Sequence, residues 1–144
     1  MELVIQPAIR SNMNAVSELL HDNQLPTEDI FEQKIKFFIA LINNVIVGTI
    51  GVEKYQHTGL QRSLAVDKEF RNLHIGKKLL NHLFDYCSAE KIRKLYLLTT
   101  TAEEYFTRFG FQKIDRVNIP EVISQTKEFQ DICPLTATTM YKKQ

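Results

Sequence analysis

The stretch RNLHIGKKLL, Arg71 to Leu80, sets Lys77 and Lys78 where the apolar spacing predicts the start of a helix. That end of a helix already carries the positive dipole pole and unpaired amides, so added cations suit an anion docked on the backbone. Gly76 would let the anion approach closely, and a pyrophosphate would engage the amides from Leu73 to Lys78 together. The same residues also read as a solvated turn on an ordinary helix, and spacing alone does not decide between the two. Arg62 alternates with Leu60, Leu64 and Val66 on one predicted strand face. A guanidinium among apolar neighbours calls either for an acidic group on a ligand or for an internal ion pair. Cys87 falls on an apolar helical stripe and reads as packing, whereas Cys133, in ICPLT, is a lone thiol without a partner nearby in sequence.

Composition bounds what these groups belong to. The chain has 144 residues, 44% of them hydrophobic, enough for one packed domain over residues 1–144. Eighteen basic against seventeen acidic residues leave a net charge of +1, so no global field points to nucleic acid or an anionic membrane. Any anion site must be local. The two cysteines lack CxxC spacing, so no metal is expected. The opening MELVIQPAIR lacks the basic-then-apolar pattern of a signal peptide, and no apolar run approaches the ~20 residues of a membrane span. The expectation is a reduced, cytoplasmic protein.

The elements that must position these groups follow closely along the chain. LVIQPAI reads as a strand, and Ser11 or Asn12 caps a helix that buries Val16, Leu19 and Leu20. LPTEDIFEQ reads as a loop or short helix. KFFIALINNVIVGTIGVEKY gives two strands around Asn43-Asn44, residues that tolerate the positive φ of a tight hairpin, and LQRSLAV is a third antiparallel strand. The helix IGKKLLNHLFDYCSAE aligns Ile75, Leu79, Leu83 and Cys87 on one face. RKLYLLTT is a buried strand, TAEEYFTRF a short helix stopped by Gly110, FQKIDRVNI a strand, PEVISQTKEF a helix begun by Pro120, and TATTMYKK a closing edge strand. LQRSLAV, the turn, the helix and RKLYLLTT form a strand–helix–strand crossover, and ligands bind beyond the carboxyl ends of such strands.

LAVDKEFRNLHIGKKLL resembles motif A of the GCN5-related N-acetyltransferases, in which an R-x-x-G-x-G turn binds the pyrophosphate of acetyl-CoA. Arg71 and Gly76 match, while His74 stands at the first glycine, where a Cβ requires negative φ. AEEYFTRFGFQKI resembles the family's closing motif through Ala102, Phe106, Gly110 and Phe111. Within the family, GLQRSLAV, LYLLTTTAEEYFTRFGF, IPEVISQTKEF and CPLTATTM are similar to arsenic-resistance N-acetyltransferases, a branch of which acetylates the amine of arsinothricin.

The resemblance implies an α/β fold with a mixed, largely antiparallel sheet, a splayed parallel strand pair and flanking helices. It implies acetyl-CoA as cosubstrate and the amine of a small molecule, such as an amino acid or analogue, as acceptor; a homodimer is compatible with it. Leu64, Ala65 and Val66 are the implied partners of the pantetheine arm, with the Val66 N–H polarising the thioester carbonyl. Arg71, Asn72, Leu73, His74, Ile75, Gly76 and Lys77 form the implied phosphate turn. Thr99 stands where relatives carry a cofactor-binding asparagine, and Phe106 replaces the family's acid tyrosine, leaving Tyr105 as the candidate acid. Glu53, beside the cleft-forming strand, is the candidate base or else a solvent-facing hairpin carboxylate. Arg62 and Ser63 are the candidate acceptor contacts. A protein that binds or senses acetyl-CoA without turnover is the competing class, suggested by His74 and Phe106.

Overall fold

The computed structural model describes residues 2–132 and 136–144, so Cys133 lies outside the described residues. Among the described residues, seven strands form one sheet in the order β1-β2-β3-β4-β5-β7-β6. β1 (Leu3–Pro7), β2 (Ile35–Ile42), β3 (Val45–Tyr55) and β4 (Thr58–Val66) are antiparallel neighbours. Asn43 and Asn44, with φ of 51° and 64°, make the β2–β3 turn in the left-handed conformation their side chains tolerate. β5 (Lys94–Thr99) runs parallel to β4, which requires the crossover through α2 (Ile75–Ala89).

The two faces of the sheet are covered by different helices. α2 buries Ile75, Leu79, Leu80, Leu83 and Cys87 against one face. α1 (Met13–Asp22) buries Met13, Val16, Leu19 and Leu20 against the other. Full burial of a leucine contributes about 1.5–3 kcal/mol. The three fully buried leucines of α2 therefore anchor its N-terminal turn firmly beside the sheet.

Three expectations for the C-terminal third are corrected. TATTMYKK is not an edge strand: β7 (Thr138–Lys143) lies between β5 and β6, and Met140 is fully buried there. FQKIDRVNI contributes only the two-residue β6 (Gln112–Lys113), because the chain turns into a short 3-10 segment at Arg116–Asn118. PEVISQTKEF is helical only over α4 (Glu121–Ser124), followed by a wide π turn at Glu128–Ile132. LPTEDIFEQ, after α1, is a loop that nevertheless buries Asp29 and Ile30.

Candidate active site

β4 and β5 pair only from Thr58–Lys94 to Leu60–Tyr96. Beyond that point Gln61–Val66 and Leu97–Thr99 diverge and line a cleft of about 1000 Å³. The cause lies in β4. Its register on β3 shifts between Gly51–Arg62 and Thr49–Ala65, and Ser63 takes a positive φ of 61°. An extra residue of this kind bends its strand and raises the local twist.

The bulge also corrects the expected face of Arg62. Leu64 and Val66 pack with the α2 cluster and Ala65 with the α1 cluster, whereas Leu60 belongs to a third cluster with Tyr96, Ile123 and Phe129. Side-chain alternation is broken at Ser63, so Arg62 does not share a face with Leu64 and Val66.

Beyond Val66, Asp67 caps a 3-10 turn by accepting the Glu69 N–H at 2.9 Å. Arg71, at the end of that turn, donates to Asn23 Oδ1 at 2.7 Å and so ties the turn to the end of α1. His74 then adopts φ 58° and ψ 31° immediately before α2. Negative φ is therefore not what accommodates its Cβ; the residue sits in the left-handed region that glycine enters freely. His74→Gly is expected to stabilise the free protein by about 1 kcal/mol, seen as a raised denaturation midpoint. A lowered midpoint would show that the imidazole contributes more than its backbone costs.

The first-turn amides of α2 at Ile75, Gly76 and Lys77 have no intrahelical acceptor. A Cβ on Gly76 would lie 2.5 Å from the Tyr105 hydroxyl, so only glycine leaves this side of the turn open. Ile75 is buried, whereas Leu73 and Lys77 are exposed. Tyr105 stands on α3 (Glu103–Thr107), with its ring 5.4 Å from Phe106 and 5.0 Å from Phe109. Burial raises its pKa, only partly offset by Arg108. Phe106, at the position of the family's tyrosine, is 8% exposed and packs on Phe111. Thr99 Oγ1 accepts the Ala102 N–H at 3.0 Å, which fixes the approach to α3. Gly76, Val66, Thr99, Tyr105 and Phe106 all line the cleft.

On the opposite wall Arg62 is 4% exposed. It makes a forked pair with Asp29, at 2.7 and 2.5 Å, and donates to Glu53 at 2.9 Å and to Ser63 Oγ at 3.2 Å. Glu128 lies 3.7 Å from its Nε. Burial works against the guanidinium charge. The Asp29 hydrogen bonds, the field of Glu128 and the Glu53 hydrogen bond outweigh it and hold the pKa above its usual value.

Glu53 is 1% exposed, so it is not a solvent-facing hairpin carboxylate. It also accepts the Tyr55 hydroxyl, whose pKa is raised by burial and by this carboxylate. Arg62, Ser63 and Glu128 line the cleft, whereas Glu53 stands behind Arg62 and is not among the lining residues. The fold thus brings together the turn from Arg71 to Gly76, Tyr105 and the Arg62 cluster. Asn23, Asp29, Gln61 and Glu128 were not anticipated. Asp29 lies in a stretch read as a loop or short helix and Glu128 near the end of the expected helix PEVISQTKEF, and only a carboxylate matched to a buried arginine would have signalled them.

An acetyltransferase (GNAT) domain model matches residues 33–113. An uncharacterized N-acetyltransferase of Chlorobaculum tepidum is 31% identical over 97 residues, covering 67% of this chain and 62% of the relative. The chain thus spans less than two thirds of the curated relative it matches. Among solved structures, the N-acetylglutamate synthase of Neisseria gonorrhoeae, complexed with coenzyme A and N-acetyl-glutamate, aligns with a TM-score of 0.83 at 18% identity. That alignment covers 99% of this chain and 35% of the synthase. A GNAT-family acetyltransferase of Staphylococcus aureus aligns with a TM-score of 0.77 at 23% identity, covering 99% of each chain. At these identities the structural likenesses speak for the fold alone. The domain match, which contains the bulged strand, the turn before α2 and α3, shows that the chain belongs to the GNAT acetyltransferase family.

Proposed function

We propose that residues 1–144 act as a single domain that transfers acetyl from acetyl-CoA to the amine of a small molecule, an amino acid or an analogue such as arsinothricin. The observation that carries the reading is the cleft opened by the Ser63 bulge, which joins the glycine-lined turn at Gly76 to a polar wall at Arg62 and Glu128. The amides of Ile75, Gly76 and Lys77 would hold the pyrophosphate, with Arg71 beside them. Leu64, Ala65 and Val66, free of β5, offer backbone groups to the pantetheine arm. When bound, acetyl-CoA supplies the activated acyl group.

Tyr105 would supply a proton to the departing thiolate from beside Gly76. Proton removal from the acceptor is assigned to the carboxylates around Arg62. Glu53 takes part through that cluster, and Glu128 stands at the cleft wall. Among the described residues no helix is long and apolar enough to cross a membrane, and no group of His, Cys, Asp and Glu is placed to hold a metal. The proposed setting is the cytoplasm. The second reading, a protein that binds acetyl-CoA without turnover, is favoured by Phe106 at the acid position and by the burial of Glu53.

Acetyl-CoA at ~100 times its dissociation constant should stabilise the fold by about 2.7 kcal/mol, measured as a shift in the thermal midpoint. An amine panel containing arsinothricin, phosphinothricin and common amino acids, read by thiol release, then separates the two readings. A shift without turnover on any amine supports the sensor, and no shift at millimolar CoA removes both.

A further inference from the structure

We propose that Asn23, at the end of α1, is a positioning residue for the cofactor: in the free protein it already holds the Arg71 guanidinium at the cleft, where a pyrophosphate would meet it. The inference rests on the reading of the cleft as an acetyl-CoA site.

Asn23 is fixed before any ligand arrives. α1 is anchored through Leu19 and Leu20, 8% and 0% exposed, and it stops where Gln24 turns to a positive φ of 61°. The Asn23 side chain closes that end of the helix. Its Nδ2 donates to the Leu19 carbonyl at 2.8 Å, which leaves Oδ1 to accept from Arg71 at 2.7 Å. The carboxamide cannot turn its oxygen away without giving up the bond to the helix.

Arg71 is the opposite case, an exposed side chain at the end of a 3-10 turn. A long side chain of this kind loses rotamer freedom when a ligand orders it, and that loss weakens binding. The bond to Asn23 restrains it beforehand. It engages a single nitrogen of the guanidinium and leaves other N–H donors of the fork for a phosphate.

The chemistry of the partner matters as well. Arg62 has its charge matched by Asp29 and Glu53, whereas the partner of Arg71 is a neutral amide that leaves the positive charge in place for an anion. Asn23 and Arg71 both line the cleft, together with Gly76 in the first turn of α2.

A double-mutant cycle tests this, with CoA binding measured by calorimetric titration in the wild type, Asn23→Ala, Arg71→Ala and the double variant. Asn23→Ala should weaken CoA binding about 3- to 10-fold. In the Arg71→Ala background the same substitution should change it by less than about 2-fold, because nothing is left to position. 3′-Phospho-ADP, which carries the pyrophosphate without the arm, should show the same loss as CoA. Asn23→Gly, a residue suited to a helix end, repeats the cycle if Asn23→Ala does not fold.

An equal loss in both backgrounds would show that Asn23 acts only through the end of α1, and it overturns the assignment. Unchanged CoA affinity in Asn23→Ala does so too, as does a loss for CoA that 3′-phospho-ADP does not share. Failure of the wild type to bind CoA at all overturns the cofactor reading itself, a result distinguishable from the others because it precedes any substitution.

Discussion

Arg62→Met is expected to lower stability by about 3–5 kcal/mol, measured as a reduced midpoint in urea at pH 7. The loss exceeds what packing would suggest because Asp29 and Glu53, 3% and 1% exposed, remain behind without the guanidinium they face. Desolvation makes an unpaired buried carboxylate costly, and the asymmetry between removing one partner and removing all of them gives the check. Adding Asp29→Asn and Glu53→Gln to Arg62→Met should restore much of the loss. A single substitution costing less than ~1 kcal/mol, the scale of an exposed pair, would show that the cluster does not hold the loop at Asp29 to β4.

The pair also bears on recognition. With its fork turned to Asp29 and Glu53, Arg62 meets an acidic group on an acceptor only by sharing or exchanging the protein's own carboxylates. Of the two readings left open by residue type, the internal ion pair is the one the structure contains.

Gly76→Val should weaken CoA binding by about 100-fold, equivalent to ~2.7 kcal/mol, while the free protein still folds. The added side chain projects to where the Tyr105 hydroxyl lies 2.5 Å from the ideal Cβ, and it closes the approach to the first-turn amides. Packing and cradle separate in Gly76→Ala combined with Tyr105→Phe. Removal of the hydroxyl relieves the contact, and alanine is the better helix former by about 1 kcal/mol, so the double variant should be at least as stable as wild type. Its CoA affinity should remain reduced. Recovery of wild-type affinity in the double variant would place the effect in the tyrosine rather than in the open backbone.

Much of this architecture was legible locally. Asn43-Asn44 announced a hairpin because their side chains tolerate positive φ, and the spacing of Ile75, Leu79, Leu83 and Cys87 named the buried face of α2. Strand, turn, helix and strand in succession from Leu60 to Thr99 required a parallel crossover, and that placed the turn before α2 beyond the carboxyl end of β4.

What the tertiary structure alone decided begins at Ser63. No glycine marks its positive φ, so alternation continued through the strand in the sequence reading and put Arg62 on the face of Leu64 and Val66. The bulge is imposed by pairing with β3, a partner the local pattern does not contain. Asp29 lies 33 positions from Arg62, and Glu128 comes from a π turn beyond α4. Periodicity reports which side of an element faces the core, but buried charges find their partners through the packing of elements distant in sequence. Only the folded chain shows which carboxylates those are.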